Sequence, residues 1–199
     1  MKQAVLRRCE LAAVDILVRQ NFASIYDMLT LDVRRLTLPI SVRFASFSEF
    51  CRETGVDRAH FLSADNKSPE GLSLSKGRQY LILYDEGVKN PCRLLFTLAH
   101  ELGHIMLGHT DAETPYAERE ADYFAASLLA PTVVLRYLEK RDGRLTAERL
   151  CTVLPLSHEA AVRRIAEMRE APDLPPNDSE IALLLRLFGG FSENGEESD

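Results

Sequence analysis

Apolar residues recur at helical spacing through Val5, Leu6, Val14, Leu17, Phe22, Ile25, Met28 and Leu29, which predicts one broken helix or two short ones over 4–29. A short helix is expected over 47–53, capped by Ser46 or Ser48 and ended by Gly55. From 56 to 85 the pattern shortens to β-type runs at 60–62, 72–75 and 79–85, with Lys76-Gly77 as a hairpin turn. The run Tyr80-Leu81-Ile82-Leu83-Tyr84 is the strongest strand signal in the chain, and a small antiparallel sheet of about three strands follows from it.

The longest and most apolar helix is predicted over 91–108. Asn90 can cap it, Pro91 suits its first position and Gly108 can end it. Leu94, Leu95, Phe96, Leu98, Leu102 and Ile105 surround it almost completely, so it belongs in the centre of the fold. Thr114-Pro115 opens a further helix that runs to about Leu129, where Ala130-Pro131 interrupts it. Helices are expected over 132–140 and 146–170, with breaks at Asp142-Gly143 and Leu154-Pro155 and a cap at Ser157. The three prolines of 171–178 read as a linker, 181–188 as a short apolar helix that docks on the core, and the acidic remainder as disordered. The fold class is therefore α+β, mostly helical with a small sheet.

Composition narrows the function classes. The 199 residues, 46% of them hydrophobic, suffice for one good core. No apolar run reaches the length of a bilayer span. Glu10 and Asp15 interrupt the apolar N-terminal stretch and no small-residue cleavage site follows, so the expectation is a cytoplasmic protein without a signal peptide. Cys9, Cys51, Cys92 and Cys151 lie far apart, with no Cys-x-x-Cys pair, and read as reduced packing residues. The net charge is −6, and residues 191–199 alone carry four acids without a Lys or Arg. That balance lacks the basic field of a general nucleic-acid binder. The arginines at 149, 163, 164 and 169 leave a local DNA-binding reading for 146–170, but solvated arginines on a packing subdomain account for them more simply.

Within the central helix stands His100-Glu101-Leu102-Gly103-His104. Residues four apart on a helix are separated by about 40° around the axis and ~6 Å along it, so both imidazoles leave one face and can hold one ion. Glu101 sits beside them, where its carboxylate can reach an attacking water without ligating the metal. Ionisable groups on a buried apolar helix are costly without partners, and a metal would resolve that conflict.

A hydrolytic zinc site needs three protein ligands and one open position. Glu118 is best placed for the third, because Glu118 and Asp122 share a face of the next helix, flanked by the small Ala121 and Ala125. Asp122 can then accept a hydrogen bond from a ligating imidazole. Glu120 lies about 200° round from Glu118 on a regular helix, and Glu113 and Asp111 precede that helix. His109 follows His104 by five residues, one fewer than in the three-histidine zinc proteases. It can contribute at the cleft or simply sit at a helix end. Tyr116, Tyr123 and His109 are candidates for contacting substrate or the oxyanion. An extended substrate could pair with an edge strand, for which 80–84 is the candidate.

The strings Phe96-Thr97-Leu98-Ala99-His100-Glu101-Leu102-Gly103-His104, Leu107-Gly108-His109 and Glu118-x-x-Ala121-Asp122-x-Phe124-Ala125-Ala126-x-Leu128-Leu129-Ala130-Pro131 together resemble the ImmA/IrrE family of metallo-endopeptidases. The likeness extends from the N-terminal helix to about Met168 and includes 156–165; the segment after Pro172 has no counterpart in it. It implies a zincin-like peptidase domain over 1–131, a helical subdomain over 132–171, and an appended linker, helix and tail over 172–199. It further implies zinc, with manganese as the alternative, held by His100, His104 and Glu118, with Glu101 as general base. The substrate it implies is a helix-turn-helix repressor or antitoxin in a phage, mobile-element or stress-response circuit. Asp122 stands where many relatives carry asparagine, a change that keeps the hydrogen-bonding role.

Overall fold

The computed structural model describes residues 3–62, 68–109 and 114–189. The chain opens with α1 (Gln3–Val18) and the single turn α2 (Tyr26–Leu29), so 4–29 forms two helices. Strand β1 (Val42–Ser46) runs directly into α3 (Phe47–Thr54), where the Ser46 side chain accepts from the Glu49 N–H and Gly55 closes the helix. After β2 (Gly71–Lys76) and β3 (Gln79–Tyr84) comes α4 (Pro91–Leu107). Then follow α5 (Pro115–Leu129), α6 (Thr132–Asp142), α7 (Ala147–Cys151), α8 (His158–Glu170) and α9 (Asp178–Phe188). Thr114, Thr146, Ser157 and Asn177 each cap the helix that follows by accepting a backbone N–H, which supplies part of what a helix start lacks.

The fold is α+β with a three-stranded mixed sheet in the order β1-β3-β2. β2 and β3 form the expected antiparallel hairpin, with Lys76 opposite Gln79 and Gly77 at the turn. The third strand is not 60–62. Residues Arg58–Phe61 form a 3-10 helix started by the Asp57 side chain, which accepts from the Ala59 N–H. β1 takes that place and pairs in parallel with β3, Val42 opposite Tyr80 and Ser46 opposite Tyr84. β3 is thus the central strand. Its pleat sends Ile82 into the main core and Leu83 into a smaller one with Ala45 and Phe47.

The main core holds buried apolar residues from Cys9 on α1 to Phe188 on α9. Among the described residues, α4 and α5 form the most extensive helix pair, and α4 also meets β2 and β3. Gly103 allows the close approach of α4 to α5: a Cβ there would lie 3.0 Å from Phe124 Cδ1 and 3.2 Å from Ala121 Cα. Ala121 and Ala125, fully buried, keep the facing side equally thin. Helix α8 is fastened to the α5–α6 joint by Arg164, only 2% exposed. Its guanidinium donates to the Ala130 carbonyl at 2.8 Å and to Thr132 Oγ1 at 2.9 Å, with Glu10 Oε1 3.8 Å away.

Helix α9 docks on α1. Arg7 forms a bidentate pair with the buried Glu180, both contacts 2.6 Å, and Leu183 and Leu187 are fully buried. All four cysteines are free. No helix among the described residues is long and apolar enough to cross a membrane.

Candidate metal centre

Helix α4 begins where Asn90 Oδ1 accepts from the Arg93 N–H at 3.1 Å, and it carries His100 and His104 onto the face that meets α5. Their Nε2 atoms lie 3.0 Å apart. From α5, Glu118 Oε2 comes within 3.3 Å of His100 Nε2 and Glu118 Oε1 within 3.3 Å of His104 Nε2. One ligand atom from each of the three residues thus falls in a cluster narrower than 4.8 Å. Four donors each about 2.1 Å from a tetrahedral zinc are separated by edges of about 3.4 Å. The observed spacing matches that scale.

The donor chemistry fits as well. Asp122 Oδ1 lies 2.9 Å from His100 Nδ1, so that nitrogen carries the hydrogen, and in the neutral ring Nε2 turns a bare lone pair towards His104. Two imidazole nitrogens and a carboxylate aimed at one point form a good cation site and a poor set of mutual hydrogen bonds. Burial pushes the His104 pKa down, as does the neighbouring His100, which favours the neutral, ligating form. On His100 burial acts in the same direction, but the bond from Asp122 and the carboxylates of Glu101, Asp122 and Glu118 outweigh it, and the pKa rises. The three carboxylates make the pocket attractive to a divalent ion.

Glu101 leaves α4 towards the sheet. Burial raises its pKa above the ordinary glutamate value, against an opposing pull from Ser73 of β2. β2 passes so close that a Cβ at Gly71 would lie 2.9 Å from Glu101 Cγ and 2.6 Å from Thr97 Cγ2. A raised pKa and a position fixed by close packing suit a proton carrier.

His100 and Glu101 line a cleft of about 950 Å³ that continues past Arg93 and Thr97 to Ser157, His158 and Arg163 at the start of α8. The edge strand beside this cleft is β2, which contributes Gly71. The 80–84 run cannot offer an edge to substrate, because β1 and β2 pair with it on both sides. Nothing in the local sequence announces that α8 borders the cleft, since the contact depends on the turn at Leu154-Pro155.

The remaining candidates fall elsewhere. His109 sits beyond the end of α4, where Gly108 at φ 71° reverses the chain and the His109 N–H returns to the His104 carbonyl at 2.9 Å. Its Nδ1 lies 3.1 Å from His104 Nδ1, and its Nε2 lies 3.0 Å from Glu120 Oε2. Glu120 is buried and faces Arg8 of α1 at 2.6 Å, turned away from the ligand cluster. Tyr116 is half exposed on α5. Tyr123 lies under the Arg164 guanidinium, 5.3 Å from its ring centre, on the α8 side. Asp111 and Glu113 lie outside the described residues.

A family model described as Peptidase_M78, IrrE N-terminal-like domain, matches residues 53–166. The match takes in β2, β3, α4, α5 and most of α8, and so contains the whole His100–His104–Glu118 cluster and its cleft. No curated protein matches the chain. With more than half of its length under that model, the chain belongs to the IrrE N-terminal-like Peptidase_M78 family of metallopeptidases.

Proposed function

We propose that the protein is a zinc-dependent endopeptidase in which His100, His104 and Glu118 are the metal ligands and Glu101 is the general base. The observation that carries this reading is the convergence of two Nε2 atoms 3.0 Å apart and a carboxylate 3.3 Å from each, beside a closely packed glutamate in an open cleft. When bound, zinc supplies Lewis acidity, which polarises a scissile carbonyl and lowers the pKa of water towards ~7. Manganese is the alternative ion.

The protein's own residues do the rest. Glu101 takes a proton from the attacking water on its carboxylate and returns it to the leaving amine nitrogen, as the C–N bond breaks and the new C–O bond stays. The close approach of β2 at Gly71 keeps that side chain in place between the two transfers. Asp122 holds His100 with its Nε2 free. The cleft wall from Thr97 to Arg163 and the exposed side of β2 receive an extended peptide segment.

The substrate in this reading is a helix-turn-helix repressor or antitoxin, cut inside the cytoplasm. The resemblance in the 96–131 strings is what supports that choice. Direct DNA binding gains little support from 146–170: Arg164 is buried, Arg149 pairs with Asp142 at 2.6 Å and Arg169 with Glu139 at 2.7 Å, which leaves Arg163 as the one exposed arginine of the four without a close partner, 3.9 Å from Glu167.

The test is to incubate purified protein, with zinc or manganese, with the transcriptional regulator encoded beside it and to read fragments by mass spectrometry. Two fragments from one internal cut are expected. The Glu101→Gln variant should retain zinc and lose cleavage by about 10²-fold or more. An intact regulator that nonetheless stays bound would replace catalysis with simple sequestration, and full activity in Glu101→Gln would remove the mechanism.

A further inference from the structure

We propose that His109, Glu120 and Arg8 form a positioning relay behind His104, deciding which of its two ring nitrogens is free to ligate. The inference rests on the reading of His104 as a ligand and concerns residues to which that reading gives no part.

The hydrogen-bond directions follow from one fixed end. Glu120 Oε2 faces the Arg8 guanidinium at 2.6 Å and His109 Nε2 at 3.0 Å. A carboxylate paired with arginine only accepts, so His109 Nε2 carries the hydrogen. In the neutral form of the ring that single N–H leaves His109 Nδ1 bare, and it is this form that the relay uses. The next contact, His109 Nδ1 to His104 Nδ1 at 3.1 Å, therefore takes its hydrogen from His104 Nδ1. His104 Nε2 is then bare as well, and it is the atom that stands 3.0 Å from His100 Nε2 and 3.3 Å from Glu118.

His100 reaches the same state by a shorter route, one bond from Nδ1 to Asp122. The two routes differ in how far solvent can replace them. The Asp122 side chain is 58% exposed, whereas those of His109 and Glu120 are 13% and 3% exposed. Water has little access to stand in for either member of the longer relay. Gly108 makes the relay reachable, because its left-handed φ folds His109 back against the end of α4. Arg8 makes α1 part of the support, tying the site to a helix that contributes no ligand.

The test combines a spectrum and an affinity. Long-range proton–nitrogen correlation spectra of zinc-loaded, histidine-labelled protein should show His104 protonated at Nδ1 and His109 protonated at Nε2. Zinc affinity, measured by competition with a chromophoric chelator, should fall 10–100-fold in His109→Ala. His109→Gln, which keeps one donor and one acceptor, should recover most of that loss. A hydrogen on His109 Nδ1 in the spectrum, or equal zinc affinity in wild type and His109→Ala, would overturn the relay while leaving the metal centre intact. A wild-type protein that takes up no zinc would overturn both. The spectrum needs no substitution, so a variant that folds poorly does not shield the idea.

Discussion

Asp122 and His109 touch two imidazoles in the same manner, yet they stand in different solvent, and that difference predicts different penalties. Removing the Asp122 carboxylate deprives His100 Nδ1 of its acceptor, but with the side chain 58% exposed, water can occupy the vacated place. Asp122→Ala should therefore weaken zinc binding by about tenfold, the low end for a partner of a ligating histidine. Asp122→Asn should weaken it less, since an amide oxygen still accepts. Chelator competition on the two variants measures both. A loss in Asp122→Ala larger than that in His109→Ala would contradict the solvent argument.

At the scale of elements, the approach of α4 to α5 governs the site, because two of the three proposed ligands come from one helix and the third from the other. Gly103 faces Phe124 and Ala121 with no room for a side chain. Gly103→Val has to part the helices or distort them, at a cost of about 1–3 kcal/mol for overpacking. The expected result is a lowered denaturation midpoint together with reduced zinc occupancy, although residue 103 ligates nothing. Normal zinc affinity in a folded Gly103→Val protein would separate helix packing from ligand geometry. Much of this was legible in the sequence. The i, i+4 spacing of His100 and His104 and the shared face of Glu118 and Asp122 are local properties of helices, and Asn90, Thr114 and Ser157 announced their helix starts. β1 was not legible, since Val42–Ser46 is a short run whose parallel partner begins at Gln79. The apolar 60–62 run looked like a strand, but the Asp57 cap committed the backbone to a 3-10 turn first. Arg8 and Glu120 were out of reach for a stronger reason. They sit 112 positions apart, and only the packing of α1 against α5 joins them.

For the molecule as a whole, the question is how firmly the outer helices hold the cleft. Arg164 joins α8 to the α5–α6 joint from inside the core, near the buried Glu10. Arg164→Met removes one of the two arginines beside that carboxylate, Arg7 remaining at 3.7 Å, and leaves the Ala130 carbonyl without this donor, a change expected to cost about 1–3 kcal/mol. A fall in urea midpoint at unchanged slope is the corresponding reading. Because α8 also supplies Ser157, His158 and Arg163 to the cleft, KM for a peptide substrate bound there should rise in this variant as well.

Helix α9 presents the opposite case. It buries Leu183, Leu187 and Phe188 and anchors Glu180 to Arg7, but it contributes nothing to the lining of the cleft. Burial of each large apolar side chain is worth about 1.5–3 kcal/mol, so ending the chain at Ala171 removes several kcal/mol and uncovers the apolar face of α1. Stability and catalysis should then separate. The truncated protein should unfold at markedly lower denaturant, yet cleave at a rate per folded molecule within about twofold of the full chain, since a part that lines no substrate surface alters no transition-state contact. Denaturant titration gives the folded fraction, and fragment yield at low temperature gives the rate. A rate that rises severalfold on truncation would mean instead that 172–199 restrains the cleft, and the docking of α9 on α1 would then have to be read as the resting state of an inhibitory segment.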